Sequence, residues 1–229
     1  MKDKDLPSRR LSIERMLTRR TVIGALALSL APIARALAAT PPPKPAALST
    51  AQQAEVAQIE EYLNGIHTLA SAFEQVSGEG SLATGKLYLS RPGRMRFEYD
   101  APVPILLVAD GRDIHYYDRE LQQVTDMRIE STPAAFLLRD RIALTGGVTL
   151  TRYEHQPGVI RLTFAETQEP DQGSVTLTLT DRPLELRQWT VVDVQQKRIT
   201  ITLTDPHYGA AVDPRLFQWT DPRPSETKH

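Results

Sequence analysis

The chain has 229 residues, with 27 basic and 28 acidic side chains and no cysteine. Residues 1–38 hold eight basic and three acidic residues, so the remainder has 19 basic and 25 acidic residues and a net charge of −6. This acidic balance argues against nucleic acid and anionic membrane surfaces as partners. The absence of cysteine excludes cysteine nucleophiles, thiolate metal sites and a lipid-anchored N-terminal cysteine.

Residues 1–38 have the pattern of a cleaved secretory signal. Arg19 and Arg20 precede an apolar run over residues 22–34, and Ala36 and Ala38 provide the small residues that a signal peptidase recognises. The apolar run is shorter than the ~20 residues of a spanning helix, which argues against the alternative of a membrane anchor. The paired arginines also resemble a twin-arginine export motif, so both that route and the general secretory route stay open.

A spacer and a helix are predicted next. Prolines over residues 39–49 predict a stiff, extended spacer. Ser49 is expected to cap a helix with Gln52 as its capping-box partner, and Gly65 is expected to end it. Apolar residues recur inside it at spacings of three and four, which predicts one buried face. These residues are Val56, Ile59, Leu63 and Ile66.

The period of the apolar pattern then changes to two. Val175, Leu177 and Leu179 alternate with threonines, as in half-buried antiparallel strands. With turn signals between such runs, residues 69–204 predict about eleven strands, and Asp205-Pro206 is expected to end the last one. The predicted fold is mainly β, with a single domain over residues 50–221 and a flexible tail at 222–229.

One segment interrupts the strands. Residues 132–138 combine a capping threonine, a proline at the first helical position and the apolar run Phe136, Leu137 and Leu138. A buried packing helix is one interpretation. The other is that some of these side chains meet a lipid or a cavity, because three consecutive large residues cannot all lie on one helical stripe.

No catalytic constellation can be named. The histidines lack the spacing of a helical zinc pair, and there is no Gly-x-Ser-x-Gly nucleophile elbow. Asp205, His207 and Asp213 could be read as metal ligands, although a polar loop explains them as well. We therefore expect no enzyme, no cofactor and no metal, and a periplasmic hydrolase remains only a third hypothesis.

Arg91 stands directly before Pro92, which restricts its backbone to extended conformations. One interpretation is a surface arginine before a turn. The other is a rigidly held guanidinium, whose five donors can bridge several backbone carbonyls and fasten a helix over an open sheet.

The segment over residues 89–99, with Pro102, resembles the signature of the outer-membrane lipoprotein carrier family, the LolA-type periplasmic chaperones. Residues 108–111, 116–118, 123–125, 186–193 and 198–201 resemble further parts of that family, and residues 132–138 occupy its lid position. The resemblance covers about residues 50–219. It implies an incomplete antiparallel β-barrel, with an N-terminal helix and a short helical lid over the open mouth.

The resemblance also implies a function. The chain would be a periplasmic carrier that binds lipoprotein acyl chains in a hydrophobic cavity and takes them from the inner to the outer membrane. Arg91 would be the lid latch, and Phe136, Leu137 and Leu138 would form the lid helix. The residues expected to line the acyl cavity are Leu87, Leu89, Met95, Phe97, Tyr99, Leu177 and Leu179.

The expected partners are acylated lipoproteins, an inner-membrane lipoprotein-releasing transporter as donor, and an outer-membrane acceptor lipoprotein or the membrane itself. The carrier is expected to act as a monomer. The alternative is a related binding module for another amphiphile, such as a glycolipid or terpenoid lipid, or a sensor of envelope stress.

Overall fold

The computed structural model describes residues 42–132 and 135–223. The predicted signal at residues 1–38, the first part of the spacer, Pro133 and Ala134 of the predicted lid, and residues 224–229 of the predicted tail lie outside the described residues. The described part of the spacer joins the folded structure, because the Ala46 amide donates to the Leu150 carbonyl over 2.8 Å.

The first helix, α1 (Thr50–Gly65), begins at the predicted capping box. The Gln52 amide donates to Ser49 Oγ over 3.3 Å, and the Ser49 amide donates to Gln52 Oε1 over 2.9 Å. These two bonds satisfy amides that a helix start leaves without partners. One face of α1 is buried through Val56, Ile59 and Leu63, as the spacing predicts.

In the described part of the chain, eleven antiparallel strands form one sheet, which confirms the predicted mainly β fold. The first six are β1 (Thr68–Ser77), β2 (Leu82–Ser90), β3 (Arg94–Tyr99), β4 (Ile105–Asp110), β5 (Asp113–Asp118) and β6 (Gln123–Arg128). The remaining five are β7 (Val148–Gln156), β8 (Val159–Glu166), β9 (Ser174–Asp181), β10 (Leu184–Val192) and β11 (Arg198–Tyr208).

The strand order explains where the residues of the predicted lid lie. The sheet runs β6-β5-β4-β3-β2-β1-β11-β10-β9-β8-β7, so β6 and β7 are its two edges and the sheet is not closed. Residues 129–147 connect these two edges. They contain a 3-10 turn at Ile129–Ser131 and the one-turn helix α2 (Ala135–Leu138). We call residues 129–147 the crossing segment.

The helices cover one face of the sheet, which we call the inner face and define by Phe73, Leu87, Met95, Leu162 and Leu177. The buried side chains of α1 and α2 and those of the inner face belong to one apolar cluster. Because successive side chains in a strand alternate between faces, the period-two pattern places this whole set on the same side.

The opposite face is partly covered by the C-terminal segment. A 3-10 turn at Pro214–Phe217 buries Phe217, and the Trp219 ring stacks on His115 with centroids 4.7 Å apart. Arg96 Nη1 donates to the Leu216 carbonyl over 3.0 Å. These contacts attach residues 214–219 to the sheet, within the predicted domain at residues 50–221.

One predicted strand end is wrong. Asp205-Pro206 does not end β11, which continues to Tyr208. Asp205 adopts a positive φ of 52°, and pairing with β1 shifts register between Ala70 and Ala72. After this irregularity, His207 and Tyr208 pair with β1 again. The dipeptide therefore produces a bulge within the strand.

Candidate functional site

The three apolar residues of α2 are all buried, but they face different surroundings. The Phe136 ring stacks on Phe164 of β8, with centroids 5.6 Å apart. Leu137 lines a small enclosed cavity, and Leu138 packs in the main cluster. A single turn can bury all three because each side chain has a different neighbour: β8, the small cavity and the main cluster.

Arg91 follows β2 and reaches both α1 and the residues after α2. Its Nη1 donates to the Leu63 carbonyl over 2.6 Å, and its Nε donates to the Arg139 carbonyl over 3.1 Å. Its Nη2 donates to the Asp140 carbonyl over 3.1 Å and to Asn64 Oδ1 over 3.5 Å. One guanidinium therefore joins the C-terminal end of α1 to the residues that directly follow α2.

The charge of Arg91 is partly withdrawn from water. Burial lowers the pKa of Arg91, and the nearby Asp140 carboxylate opposes that shift. A guanidinium stays protonated in proteins at physiological pH, so these hydrogen bonds are charge-assisted. Such bonds are stronger than bonds between neutral groups.

Two α1 side chains hold the crossing segment in the same way, and the sequence did not reveal them. Asn64 Nδ2 donates to the Ile142 carbonyl over 2.8 Å, while the Ile142 amide donates to Asn64 Oδ1 over 2.9 Å. The Leu144 amide donates to Glu60 Oε2 over 2.8 Å. Their partners are backbone groups about eighty residues away, so no local pattern marks them.

A glycine gives the lid a further attachment. The Gly93 amide donates to the Leu138 carbonyl over 2.8 Å, and Gly93 has a φ of +76°. An added Cβ at Gly93 would lie 2.8 Å from Gly111 Cα, closer than real contacts allow. The turn between β2 and β3 therefore needs glycine here in order to reach the end of α2.

The predicted cavity residues fall into two groups. Leu87, Leu89 and Met95 line an enclosed cavity of about 30 Å³ beneath Leu137 and Arg91. This is about the volume of one water molecule. The other residues around it include Leu63, Ile66, Leu69, Ile142, Leu186 and Trp189.

The other predicted lining residues lie in the packed core. Leu177 and Leu179 are buried on β9, and Phe97 meets Phe73 edge to face with centroids 4.9 Å apart. Tyr99 is half-buried and donates to Gln75 Oε1 over 2.6 Å. Burial raises the pKa of Tyr99 to about 12, so the phenol is neutral at physiological pH.

A larger space lies on the other side of α2. This cleft has a volume of about 270 Å³ and lies between the crossing segment and strands β7 to β9. Its apolar lining includes Phe136, Val148, Phe164 and Val175, and Arg139 and Glu166 are among its charged residues. We call it the lid cleft. No sequence pattern marks it, because its walls come from distant parts of the chain.

The N-terminal half of α1 has its own attachment to β7. Glu55 accepts a short hydrogen bond from the Tyr153 hydroxyl, and His155 Nδ1 lies 3.1 Å from Glu55 Oε1. His155 Nε2 lies 3.6 Å from Asp181 Oδ2. Burial, followed by the bond to Glu55, raises the pKa of Tyr153 to about 12.

Among residues 42–132 and 135–223, no three His, Asp or Glu side chains converge as a metal site would require. The helices of that part of the chain are too short and too polar for any of them to cross a bilayer.

A family model described as the outer membrane lipoprotein carrier protein LolA matches residues 64–220. These residues include β1 to β11, the crossing segment and Arg91. Since the match spans more than half of the chain, the chain belongs to the LolA family of outer membrane lipoprotein carrier proteins.

Individual relatives agree with this membership. An outer-membrane lipoprotein carrier protein of Pseudomonas paraeruginosa is 29% identical over 178 residues, which are 74% of this chain and 85% of the relative. One from Chromobacterium violaceum is 38% identical over 94 residues, which are 38% of this chain and 46% of the relative. A solved LolA superfamily protein from Nitrosomonas europaea is more distant, at 11% identity and a TM-score of 0.41, covering 71% of this chain and 97% of that chain.

Proposed function

We propose that this protein is a periplasmic, non-enzymatic carrier. It binds the acyl chains of lipoproteins in the apolar space under α2 and takes them from the inner to the outer membrane. One observation carries the proposal: Arg91 joins α1 to the end of the lid through hydrogen bonds to backbone carbonyls. An apolar inner face closed by polar, reversible bonds suits a carrier that must both hold and release its cargo.

The enclosed cavity must widen before an acyl chain can enter. Its volume of about 30 Å³ is far below the roughly 300–1,000 Å³ of typical ligand pockets. The space can come from moving Leu137 and the rest of α2 away from Leu87 and Leu89. Arg91 then acts as the lid latch, because its bonds to Arg139 and Asp140 must break during that movement.

The energies involved allow such a switch. Each hydrogen bond to a charged group contributes about 1.5–3 kcal/mol, whereas each buried methylene of a cargo chain contributes about 0.8 kcal/mol. A chain of ordinary length therefore offsets the loss of the latch bonds. The protein can close again after release because the inner face then packs against its own lid.

The proposed partners follow from this cycle. Acylated lipoproteins are the cargo, an inner-membrane releasing transporter is the donor, and an outer-membrane acceptor lipoprotein or the membrane receives the cargo. The charge of −6 after residue 38 keeps the carrier from binding strongly to anionic lipid surfaces. We propose that it works as a monomer.

The test is extraction and transfer of a native lipoprotein. The protein is incubated with inner-membrane vesicles that contain an acylated lipoprotein and its releasing transporter, and the soluble fraction is analysed by mass spectrometry. A soluble complex with acylated lipoprotein is expected, whereas the same lipoprotein without acyl chains should not bind. A protein that stays free of lipoprotein contradicts the proposal, and a co-purifying glycolipid or terpenoid lipid would replace it.

A further inference from the structure

We propose that the lid cleft is a separate, preformed binding site for one acyl chain of an incoming lipoprotein, occupied before the enclosed cavity opens. This proposal rests on the carrier function proposed above and deepens it. In the closed structure the lid cleft has about 270 Å³ of space, whereas the enclosed cavity has about 30 Å³. Of these two spaces on either side of α2, only the lid cleft is therefore large enough to receive a chain that arrives at the closed protein.

The shape and lining of the lid cleft fit a hydrocarbon chain. If one methylene takes roughly the volume of one water molecule, ~30 Å³, the space holds a segment of about nine methylenes. The walls present Phe136, Val148, Phe164 and Val175 to it. This space is too small for a protein helix, whose diameter with side chains is roughly 10–12 Å.

The lid cleft shares one wall with the lid itself. Phe136 lines the cleft and stacks on Phe164, while the next residue, Leu137, lines the enclosed cavity. A chain that wedges between Phe136 and Phe164 would therefore push on the same turn of helix that closes the cavity. The first chain thereby lowers the cost of opening for the chains that follow.

The charges at the lid cleft favour a lipoprotein over an anionic phospholipid as the source of the chain. Glu130, Glu166, Glu169 and Arg139 all line it, which gives a formal charge of −2. Arg128 Nε lies 3.5 Å from Glu130 Oε2 and partly offsets that one carboxylate. An anionic phosphate head group would be repelled here, whereas an uncharged or cationic peptide N-terminus would not.

The proposal can be tested by photo-crosslinking to the unmodified protein. The first probe is a palmitoylated cysteinyl peptide with lysines, whose acyl chain ends in a diazirine. The second probe is lysophosphatidylglycerol with the same chain. Mass spectrometry should place peptide adducts on Phe136, Phe164 or Val175, and Arg91→Leu should shift adducts toward Leu87, Leu89 and Met95. Labelling of the lid cleft by lysophosphatidylglycerol should be weaker than labelling by the acylated peptide.

Two matched valine variants test whether the acyl chain binds in the lid cleft. Val175 and Val191 are opposite each other on β9 and β10, and both are half-buried, but only Val175 lines the lid cleft. Val175→Glu should reduce cleft labelling about tenfold or more, because a charge would be introduced into an apolar wall. Val191→Glu should change labelling less than about twofold once thermal unfolding shows both variants folded.

Three outcomes would overturn the inference. In the protein with Arg91 intact, the adducts could be confined to Leu87, Leu89 and Met95. The two valine variants could reduce labelling equally. Equal labelling by lysophosphatidylglycerol would overturn the assignment of the chain to lipoproteins. In all three cases the carrier function stands, whereas an absence of acyl binding anywhere, including in Arg91→Leu, would contradict the carrier function itself.

Discussion

The two ends of α1 are held to the rest of the protein by different chemistry. At the C-terminal end, Arg91 and Asn64 bond to backbone groups of α1 and the crossing segment. In the N-terminal half, Glu55 bonds to the side chains of Tyr153 and His155 on β7, and the His155 side chain is 37% exposed. Salt weakens partly exposed ion pairs by screening their charges. Hydrogen bonds to backbone groups in a half-buried site are screened much less. On the proposed function, the C-terminal end of α1 therefore controls the lid, while the N-terminal half anchors the helix more weakly.

The largest expected effect comes from Arg91→Leu. It removes all charge-assisted bonds of the latch, so we expect the closed lid to lose about 2–4 kcal/mol relative to the open lid. Trp189 lines the enclosed cavity, and the chain has only two tryptophans. In a Trp219→Phe background, acrylamide quenching of Trp189 should rise several-fold.

Function should change in a specific way in the same variant. If Arg91 is the latch, Arg91→Leu should still take up lipoprotein but should transfer it poorly to the acceptor. The reason is that the closed state of the lid no longer competes with the bound cargo. Arg91→Lys keeps the charge but lacks the fork of donors, so an intermediate result is expected. Unchanged quenching and unchanged transfer in Arg91→Leu would contradict the latch.

Asn64→Ala should have the next largest effect. It removes the donor and the acceptor that hold Ile142, which together contribute about 1–2 kcal/mol. Hydrogen exchange of the Ile142 amide should become about tenfold faster or more. Asn64→Asp retains the acceptor for that amide and serves as the control, so equal acceleration in both variants would count against the assigned bonds.

The anchor at Glu55 should matter less. Glu55→Gln keeps the size of the side chain and an acceptor for Tyr153, but it removes the charge that faces His155. We expect a loss of less than about 1 kcal/mol in the free energy of unfolding. The loss should shrink in 1 M salt, and a loss as large as that of Asn64→Ala would reverse the proposed ranking of the two ends.

The smallest expected effect is a pH dependence at alkaline pH. The pKa of Tyr153 is raised to about 12 by burial and by the bond to Glu55, so its neutral form is the one that stabilises the fold. This contribution is complete below about pH 10, the ordinary value, and is lost as the pH rises toward 12. Subtracting the unfolding profile of Tyr153→Phe from that of the unchanged protein removes the other tyrosines. A flat difference between pH 9 and 12 would exclude the contribution.

Local patterns predicted the elements of the fold well. The capping box marks the start of α1, and the alternation of Leu177 and Leu179 with threonines marks a strand, because both patterns arise from neighbouring residues. The strand end predicted at Asp205-Pro206 was wrong for the same reason. Its turn signal is local, but the pairing of His207 with Ala70 of β1 is not, and that pairing extends β11.

The site was predictable only in part. Arg91 and Leu87 could be selected from a short motif and an alternating strand; Arg91 bonds to the residue after α2, and Leu87 lines the enclosed cavity. Asn64 could not be selected from the sequence, because it bonds to the backbone carbonyl of Ile142 and every residue type has such a carbonyl. The lid cleft also depends on distant segments meeting, so its volume follows only from the packed structure.

If cargo binds in the enclosed cavity as proposed, Leu137 occupies the space that a cargo chain would need, and the lid becomes an intramolecular competitor of the cargo. On the proposed function, the apparent dissociation constant equals the intrinsic one divided by the fraction of protein that is open. A lid that is open 1% of the time would weaken the apparent affinity about a hundredfold. The strength of the latch thus sets how readily the carrier gives up its cargo, and substitutions at Arg91 or Asn64 should tune that affinity without touching the cargo.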